Sequence, residues 1–158
     1  MPLPGGYGAR YNRGMAENSA LCEKVKNAVV AGLKDDPKAA ENVGPLVEKI
    51  VAAELKQPGA TTKTVLGECC LGAMRGLAFL EQDLPAGAVS IMKALVHIVQ
   101  DRSGDPMRSM NYAIEGLARI ASVVQKDAVH AISSRLEAEI MGTGQEFNSF
   151  VEKHRQDG

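Results

Sequence analysis

At 158 residues, the chain is long enough for one domain whose hydrophobic core needs no disulfide or metal ion to hold it together. Hydrophobic residues make up 45% and charged residues 23%, and the net charge of −1 argues against a broad electrostatic surface for DNA, RNA or anionic lipid. The cysteines, Cys22, Cys69 and Cys70, are odd in number, so they cannot all pair in disulfides. We therefore expect free thiols and a reducing compartment rather than a disulfide framework.

Residues 1–15 form a segment rich in glycine and proline that contains Arg10 and Arg13. This composition predicts either a flexible arm or a short docking segment, outside a single helical domain over residues 16–158. The segment lacks the apolar stretch of a signal peptide, and the longest apolar run of the chain is too short to span a bilayer. We therefore expect a cytoplasmic protein without a membrane-spanning segment.

From about residue 16 onwards, apolar residues recur three and four positions apart, which is the period of an amphipathic helix. A first helix pair is predicted over residues 16–57, with Asp36 as the cap of its second helix and Pro37 at that helix's first position. A second pair is predicted over residues 61–101. Its second helix is apolar nearly all round, which indicates a central, buried position.

The segment DRSGDP marks the clearest boundary, because Asp105 is expected to cap the first helix of a third pair, predicted over residues 105–141. Asp127 is expected to cap the second helix of that pair. The segment TGQE fits a capping box that starts at Thr143 and predicts a short last helix. No stretch alternates with a period of two, so the predicted fold class is all-α, with about seven helices.

The phrase AMRGLAFL at residues 73–80 recurs as AIEGLARI at residues 113–120, forty positions later. Self-similarity at this period, across two helices, predicts a stack of helix pairs. Gly76 and Gly116 occupy equivalent places in the phrase, and each is expected to face a neighbouring helix at close range, since glycine is otherwise unfavourable in a helix. A weaker echo upstream contains Gly32. Coincidence among helices rich in Ala, Gly and Leu is the alternative.

The segment DPMRSMNYAIEGLARIA at residues 105–121 resembles the first helix of a HEAT repeat, with Asp-Pro at its start and an Arg two residues after the Pro. LPAGAVSIMKALVHIVQD at residues 84–101 resembles the second helix. The resemblance covers residues 61–141 and is weaker over 16–57, and the middle repeat lacks the Asp-Pro opening. It implies a right-handed α-solenoid whose second helices line an inner surface and which binds other macromolecules.

The sequence contains none of the common catalytic, nucleotide-binding or metal-binding motifs: no P-loop, GxGxxG, HExxH, GxSxG or CxxC pattern occurs. We therefore predict no catalytic residue, cofactor or metal ion. GAMRG matches GxxxG, which here indicates close helix packing. Cys69 and Cys70 lie on or beside an apolar stripe and are interpreted as core residues rather than nucleophiles. The following methionines are interpreted as core residues too, with an adaptable binding groove as the alternative: Met74, Met92, Met107, Met110 and Met141.

The predicted function is a non-catalytic interaction module that binds a protein or peptide along its inner helical face. The polar residues on one side of the fourth predicted helix form a first row. Adding forty to their residue numbers gives a second polar row on the sixth helix, and the two rows are expected to lie side by side. Two histidines in these rows predict an affinity that changes between about pH 6 and 7. The predicted partner-binding residues are Ser90, Lys93, His97, Asp101, His130, Ser133 and Glu137.

Other interpretations stay open at this point. One is an enzyme or small-molecule-binding protein with an unrecognised pocket, and another is a structural role that includes homo-oligomer formation. A nucleic-acid contact would use Arg10, Arg13, Arg108 and Arg119. A second candidate surface for a protein partner is the outer stripe of Arg75, Phe79, Glu115 and Arg119.

Overall fold

The computed structural model describes residues 19–101 and 104–157, and the regular structure of these residues is entirely helical. A 3₁₀ turn, Arg119–Ser122, directly continues the fifth α-helix. The α-helices are α1 (Ala20–Leu33), α2 (Ala39–Glu54), α3 (Thr62–Phe79), α4 (Leu84–Asp101), α5 (Pro106–Ala118), α6 (Lys126–Glu139) and α7 (Thr143–Asp157).

The helices form two layers, because helices two apart in chain order make the most extensive contacts. Helices α1, α3, α5 and α7 form the first layer, and α2, α4 and α6 form the second. Each pair of consecutive helices therefore stacks on the pair before it, and α7 closes the stack by packing against both α5 and α6. The predicted all-α stack of three helix pairs with a terminal helix is confirmed.

The hydrophobic core lies between the two layers. Helix α4 is its centre, since it contacts α2 and α6 within its own layer and α3 and α5 across the core. Its residues Ala88, Ile91, Met92 and Leu95 are completely buried. The central position predicted for this helix is confirmed, although one face of α4 stays open to solvent.

Glycines on the first-layer helices bring their backbones into close contact. A Cβ atom at Gly76 would lie 2.8 Å from Val29 Cβ on α1, and one at Gly116 would lie 2.9 Å from Gly67 Cα on α3. Both glycines therefore face the preceding helix of their layer, as the repeated phrase predicts. Gly32 differs, since it is exposed and a Cβ there would have Leu46 as its nearest neighbour, at 4.0 Å.

The predicted helix boundaries hold to within a few residues, but not every predicted cap forms. Asp105 accepts hydrogen bonds from the amides of Met107 (3.0 Å) and Arg108 (3.4 Å), which confirms it as the cap of α5. Asp36 instead closes a turn by accepting the Lys38 amide at 2.7 Å, and α2 begins only at Ala39. The predicted capping role of Asp36 is therefore wrong.

The cap expected for α6 is also wrong. The N-cap of α6 is Gln125, and Asp127 lies inside the first turn, where its charge still favours the helix dipole. Helix α5 ends at Ala118 and tightens into the 3₁₀ turn, as helix ends commonly do.

Candidate partner-binding groove

Ser90, on the predicted polar row of α4, is a structural residue of the α2–α4 contact. Its Oγ donates to the Glu41 carbonyl oxygen at 2.9 Å and accepts the Gly44 amide at 3.0 Å. Pro45 lies inside α2 and has no N–H, so it cannot donate to the carbonyl four residues earlier, which is that of Glu41. Ser90 supplies the missing donor, so its hydroxyl is engaged within the fold, while the residue also lines the groove described below.

Lys93 and His97, the next members of the row, lie on the open face of α4. Lys93 Nζ lies 3.1 Å from Glu139 Oε1 on α6, and His97 Nδ1 lies 3.9 Å from Glu48 Oε2 on α2. Both side chains remain exposed, His97 at 74% of its side-chain area. The side chain of Asp101, the last member, lies outside the described residues.

The second predicted row, on α6, does not lie beside the first. Ser133 is buried and donates to the Gly144 carbonyl oxygen at 3.3 Å, so it cannot contact a partner. Glu137 turns toward the start of α7, and His130 is exposed but does not line the open face beside Lys93. The prediction of two adjacent polar rows is therefore wrong for its α6 half.

Glu137 caps α7 from the neighbouring helix. Its Oε2 accepts the Gly142 amide at 2.8 Å and its Oε1 accepts the Gln145 amide at 3.2 Å. The Gly142 amide in particular holds the pKa of Glu137 below its ordinary value. Thr143 donates its hydroxyl to the carbonyls of Leu136 and Ile140 (2.9 and 2.6 Å), so it does not form the predicted capping box.

The physical reason for the misplaced row is the spacing of the helices. At a shift of 41, the buried α4 residues Ala88, Ile91, Met92 and Leu95 lead to the buried α6 residues Val129, Ile132, Ser133 and Leu136, whereas the repeated phrase has a period of 40. An error of one residue rotates a position by about 100° around a helix, which carries Ser133 from the expected polar row into the core.

An open groove of about 500 Å³ runs across the second layer, between α2, α4 and α6. The apolar residues of its lining are Pro45, Ala86, Val89 and Ala94. Charged side chains of both signs line the groove as well. They are Glu41 and Glu48 of α2, Lys93 and His97 of α4, and Arg135 and Glu139 of α6.

Among the residues that the structure describes, exposed ion pairs join Lys93 and Arg135 to Glu139, and His97 to Glu48. Glu139 accepts from Lys93 and lies 3.5 Å from Arg135 Nε, and the hydrogen bond from Lys93 lowers the pKa of Glu139. Sequence reasoning missed Glu41, Glu48, Arg135 and Glu139. Two signals pointed to this face: the proline inside α2, and the Arg135–Glu139 pair at i, i+4.

On the first layer, three of the predicted arginine and outer-stripe residues form ion pairs: Arg75, Arg119 and Glu115. Arg119 Nη1 lies 2.8 Å from Glu68 Oε2, and the other oxygen of Glu68 accepts the hydroxyl of Ser19 at 2.9 Å. Arg75 lies 3.7 Å from Glu23, with 18% of its side chain exposed.

The remaining residues proposed for these surfaces are dispersed. Phe79 is 66% exposed, with Lys26 Nζ 5.6 Å from its ring centre, and Glu115 lies 2.9 Å from His154 Nε2. Arg108 is exposed near the start of α5, and Arg10 and Arg13 lie outside the described residues.

The cysteines are buried, as expected for core residues. Burial raises the pKa of the Cys69 thiol to about 12 and places that of Cys70 well above its ordinary value. For Cys22, burial is the largest cause of a raised pKa and the Glu68 carboxylate the second. Each thiol is therefore held in its protonated form near neutral pH, in which it is a poor nucleophile.

The methionines divide between core and surface. Met74 and Met92 are fully buried, Met110 is partly buried against the core, and Met107 and Met141 are exposed. The core interpretation is thus confirmed for the first three and wrong for the last two.

Within residues 19–101 and 104–157, no three side chains of metal-binding type come together as a candidate site. In the same part of the chain, none of the helices combines the length and the apolar character needed to cross a membrane. Comparison with known proteins returned no matching family model, no matching curated protein and no matching solved structure.

Proposed function

We propose that the protein is a non-catalytic interaction module and that the groove between α2, α4 and α6 binds a segment of a partner protein. The observation that carries this proposal is the composition of the groove. It combines apolar side chains with charges of both signs, contributed by three successive helices of one layer. Such a surface is suited to an amphipathic segment whose polar side chains pair locally with the rim.

The existing ion pairs of the groove are easily exchanged for contacts to a partner. The side chains of Lys93 and Glu139 are 59% and 37% exposed, and solvent-exposed ion pairs contribute little to stability. Opening them for a partner therefore has a small free-energy cost.

The two sides of the groove differ in charge. The α2 side presents Glu41 and Glu48, whereas the α6 side presents Arg135 next to Glu139. We infer that basic side chains of the partner lie along α2. The HEAT-like nature of the chain and its right-handed curvature belong to the same proposal, supported by the two-layer stack and by the segments at residues 84–101 and 105–121.

A photo-crosslinking experiment tests the proposal. A photoreactive residue at His97, in the groove, is compared with the same residue at His130, which is exposed on α6 but does not line the groove. Crosslinking to a defined partner is expected from position 97 and not from position 130. Equal capture from both positions would contradict the groove as the binding surface.

Charge exchange provides the matched variants. The double variant Lys93→Glu with Glu139→Lys keeps an internal ion pair but reverses the charges offered to a partner, so folding is retained and crosslinking from position 97 is expected to fall. Glu137 must not be used for this purpose, because its carboxylate caps α7. Undiminished crosslinking by the folded double variant would argue against the proposal.

A further inference from the structure

A cavity of about 250 Å³ lies in the first layer between α3, α5 and α7, away from the groove. The described part of the chain begins at the rim of this cavity. The Ser19 hydroxyl donates to Glu68 Oε1 at 2.9 Å, and the Ser19 amide donates to the same oxygen at 3.2 Å. Glu68 lines the cavity, so residues 1–18 are joined to the helical domain directly beside it.

The lining of the cavity contains a carboxylate oxygen that no described residue uses. Glu115 binds His154 Nε2 at 2.9 Å and Lys153 Nζ at 3.4 Å, and its Oε2 atom makes both contacts. No donor from the described residues reaches Glu115 Oε1. At Glu68, by contrast, both oxygens have partners. Since each carboxylate oxygen accepts hydrogen bonds, Glu115 has capacity for a further donor.

The side chains around the cavity favour a cationic donor. Arg119 is bound to Glu68, and its remaining Nη2 atom is buried, so it is not available to a ligand. Lys63 is exposed at the edge. Tyr112 lies three residues before Glu115 on α5 and lines the same cavity, so an aromatic residue adjoins the carboxylate. A guanidinium group suits this pair, because it stacks on an aromatic ring and donates to a carboxylate.

Residues 1–18 carry guanidinium groups at a suitable distance along the chain. They contain Arg10 and Arg13 against one acidic residue, Glu17. Arg13 is six residues before Ser19. Six extended residues span up to about 20 Å, whereas packed helices lie about 10 Å apart. Both arginines are therefore close enough along the chain to reach across the cavity from its rim.

The backbone of α3 leaves room for a second stretch of chain. A Cβ at Gly67 would meet nothing closer than the Tyr112 carbonyl oxygen at 3.8 Å, so the packing of α3 on α5 does not require glycine there. Glycine is unfavourable inside a helix, and here it leaves backbone exposed to the cavity. Residues 1–18 are themselves rich in glycine, which allows close approach of one backbone to another.

We propose that residues 1–18 of this chain dock in the first-layer cavity, with the guanidinium group of Arg10 or Arg13 against Tyr112 and Glu115 Oε1. The occupant is assigned to the same chain for two reasons. The segment starts at the rim of the cavity, and it carries the positive charge that the unused acceptor complements. This site is separate from the groove and does not depend on the function proposed for it.

NMR spectroscopy of the full chain tests the proposal from the side of the segment. The double variant Arg10→Ala with Arg13→Ala is expected to shift the amide signals of Gly67 and Gly116, which lie far away in sequence but line the cavity. Cavity signals that do not respond to this double variant would overturn the proposal. Shifts that appear only as the protein concentration rises would show that a second copy supplies the segment, and they would overturn docking within one chain.

The reverse test changes the cavity and observes the segment. Glu115→Gln removes the charge of the unused acceptor and is expected to shift the amide signals of Arg10 and Arg13. Glu48→Gln removes a carboxylate from the groove instead, and it is expected to leave these signals unchanged. Equal shifts with both variants would contradict a specific contact in the cavity.

Gly67→Ala provides a variant that keeps the protein folded, since the added methyl group fits the α3–α5 contact but narrows the cavity. In the wild type, the heteronuclear NOE values of residues 8–13 are expected to be those of an ordered backbone. They are expected to fall in Gly67→Ala. Values typical of a flexible chain in the wild type, or values that Gly67→Ala leaves unchanged, would overturn the proposal.

Discussion

Ser90 on α4 donates a 2.9 Å hydrogen bond to the carbonyl oxygen of Glu41 on α2, the acceptor that Pro45 leaves without its helical donor. The same Oγ atom accepts the Gly44 amide, so one side chain is inserted into the backbone ladder of the neighbouring helix. A Cβ at Gly44 would collide with Ser90, which explains the glycine beside the proline. Proline is thus accommodated inside α2 because α4 completes its hydrogen bonding.

Ser90→Ala is expected to lower the free energy of unfolding by about 1–2 kcal/mol, since it leaves the Glu41 carbonyl and the Gly44 amide without this partner. Chemical denaturation measures the change. Ser134→Ala, at an exposed position of α6, serves as the control and is expected to change stability by less than about 0.5 kcal/mol.

A double-mutant cycle separates this role from simple packing. Pro45→Ala restores a helical N–H for the Glu41 carbonyl, so Ser90→Ala is expected to be less destabilising in that background. Equal effects of Ser90→Ala with and without Pro45 would show that the hydrogen bond does not compensate for the proline.

Gly116→Ala is expected to destabilise the protein by about 1–3 kcal/mol, because the added methyl group would meet the backbone of Gly67, which cannot rotate away as a side chain can. Gly32→Ala is the matched substitution at an exposed helical glycine, and it is expected to raise stability by up to about 1 kcal/mol. Thermal unfolding distinguishes the two. Changes of the same sign would contradict the close α3–α5 contact.

Asp105→Ala is expected to cost about 1 kcal/mol, because the carboxylate accepts the amides of Met107 and Arg108 at the start of α5. Asp105→Asn retains a capping acceptor and is expected to restore most of the loss. An unchanged melting temperature for the alanine variant would count against this cap.

Glu137→Gln tests the cap that α6 provides for α7, and its effect is expected to depend on pH. The pKa of Glu137 lies below its ordinary value of 4.5 in the folded protein, mainly because of the Gly142 amide. The carboxylate therefore stabilises the fold above the unfolded pKa, and this contribution disappears as the pH falls through the folded pKa.

The difference in melting temperature between the wild type and Glu137→Gln is expected to be largest at neutral pH and to become smaller below about pH 4.5. Glu152→Gln, further along α7, is the control for the general loss of a surface carboxylate. A difference for Glu137→Gln that stays constant down to pH 3 would contradict the proposed role of its charge.

The fold followed from features that are local in the chain. The apolar period of each segment predicted the helices, and Asp105 before Pro106 predicted the start of one of them. The phrase shared by residues 73–80 and 113–120 predicted the stacking of helix pairs and the two packing glycines. These features act through backbone dihedrals and helix faces, so they can be recognised without any knowledge of distant contacts.

What only the tertiary structure decided is which side of each helix meets which neighbour. The sequence by itself determined a stack of helix pairs and an open polar face on α4, including Lys93 and His97. It did not determine that Ser90 completes the α2 backbone, that Ser133 is buried, or that Glu137 caps α7. The residues paired across the groove, Lys93 and Glu139, are 46 positions apart, and this distance depends on helix lengths and loops rather than on the repeat. Because one residue corresponds to about 100° of helix rotation, a small error in spacing exchanges the core face for the solvent face.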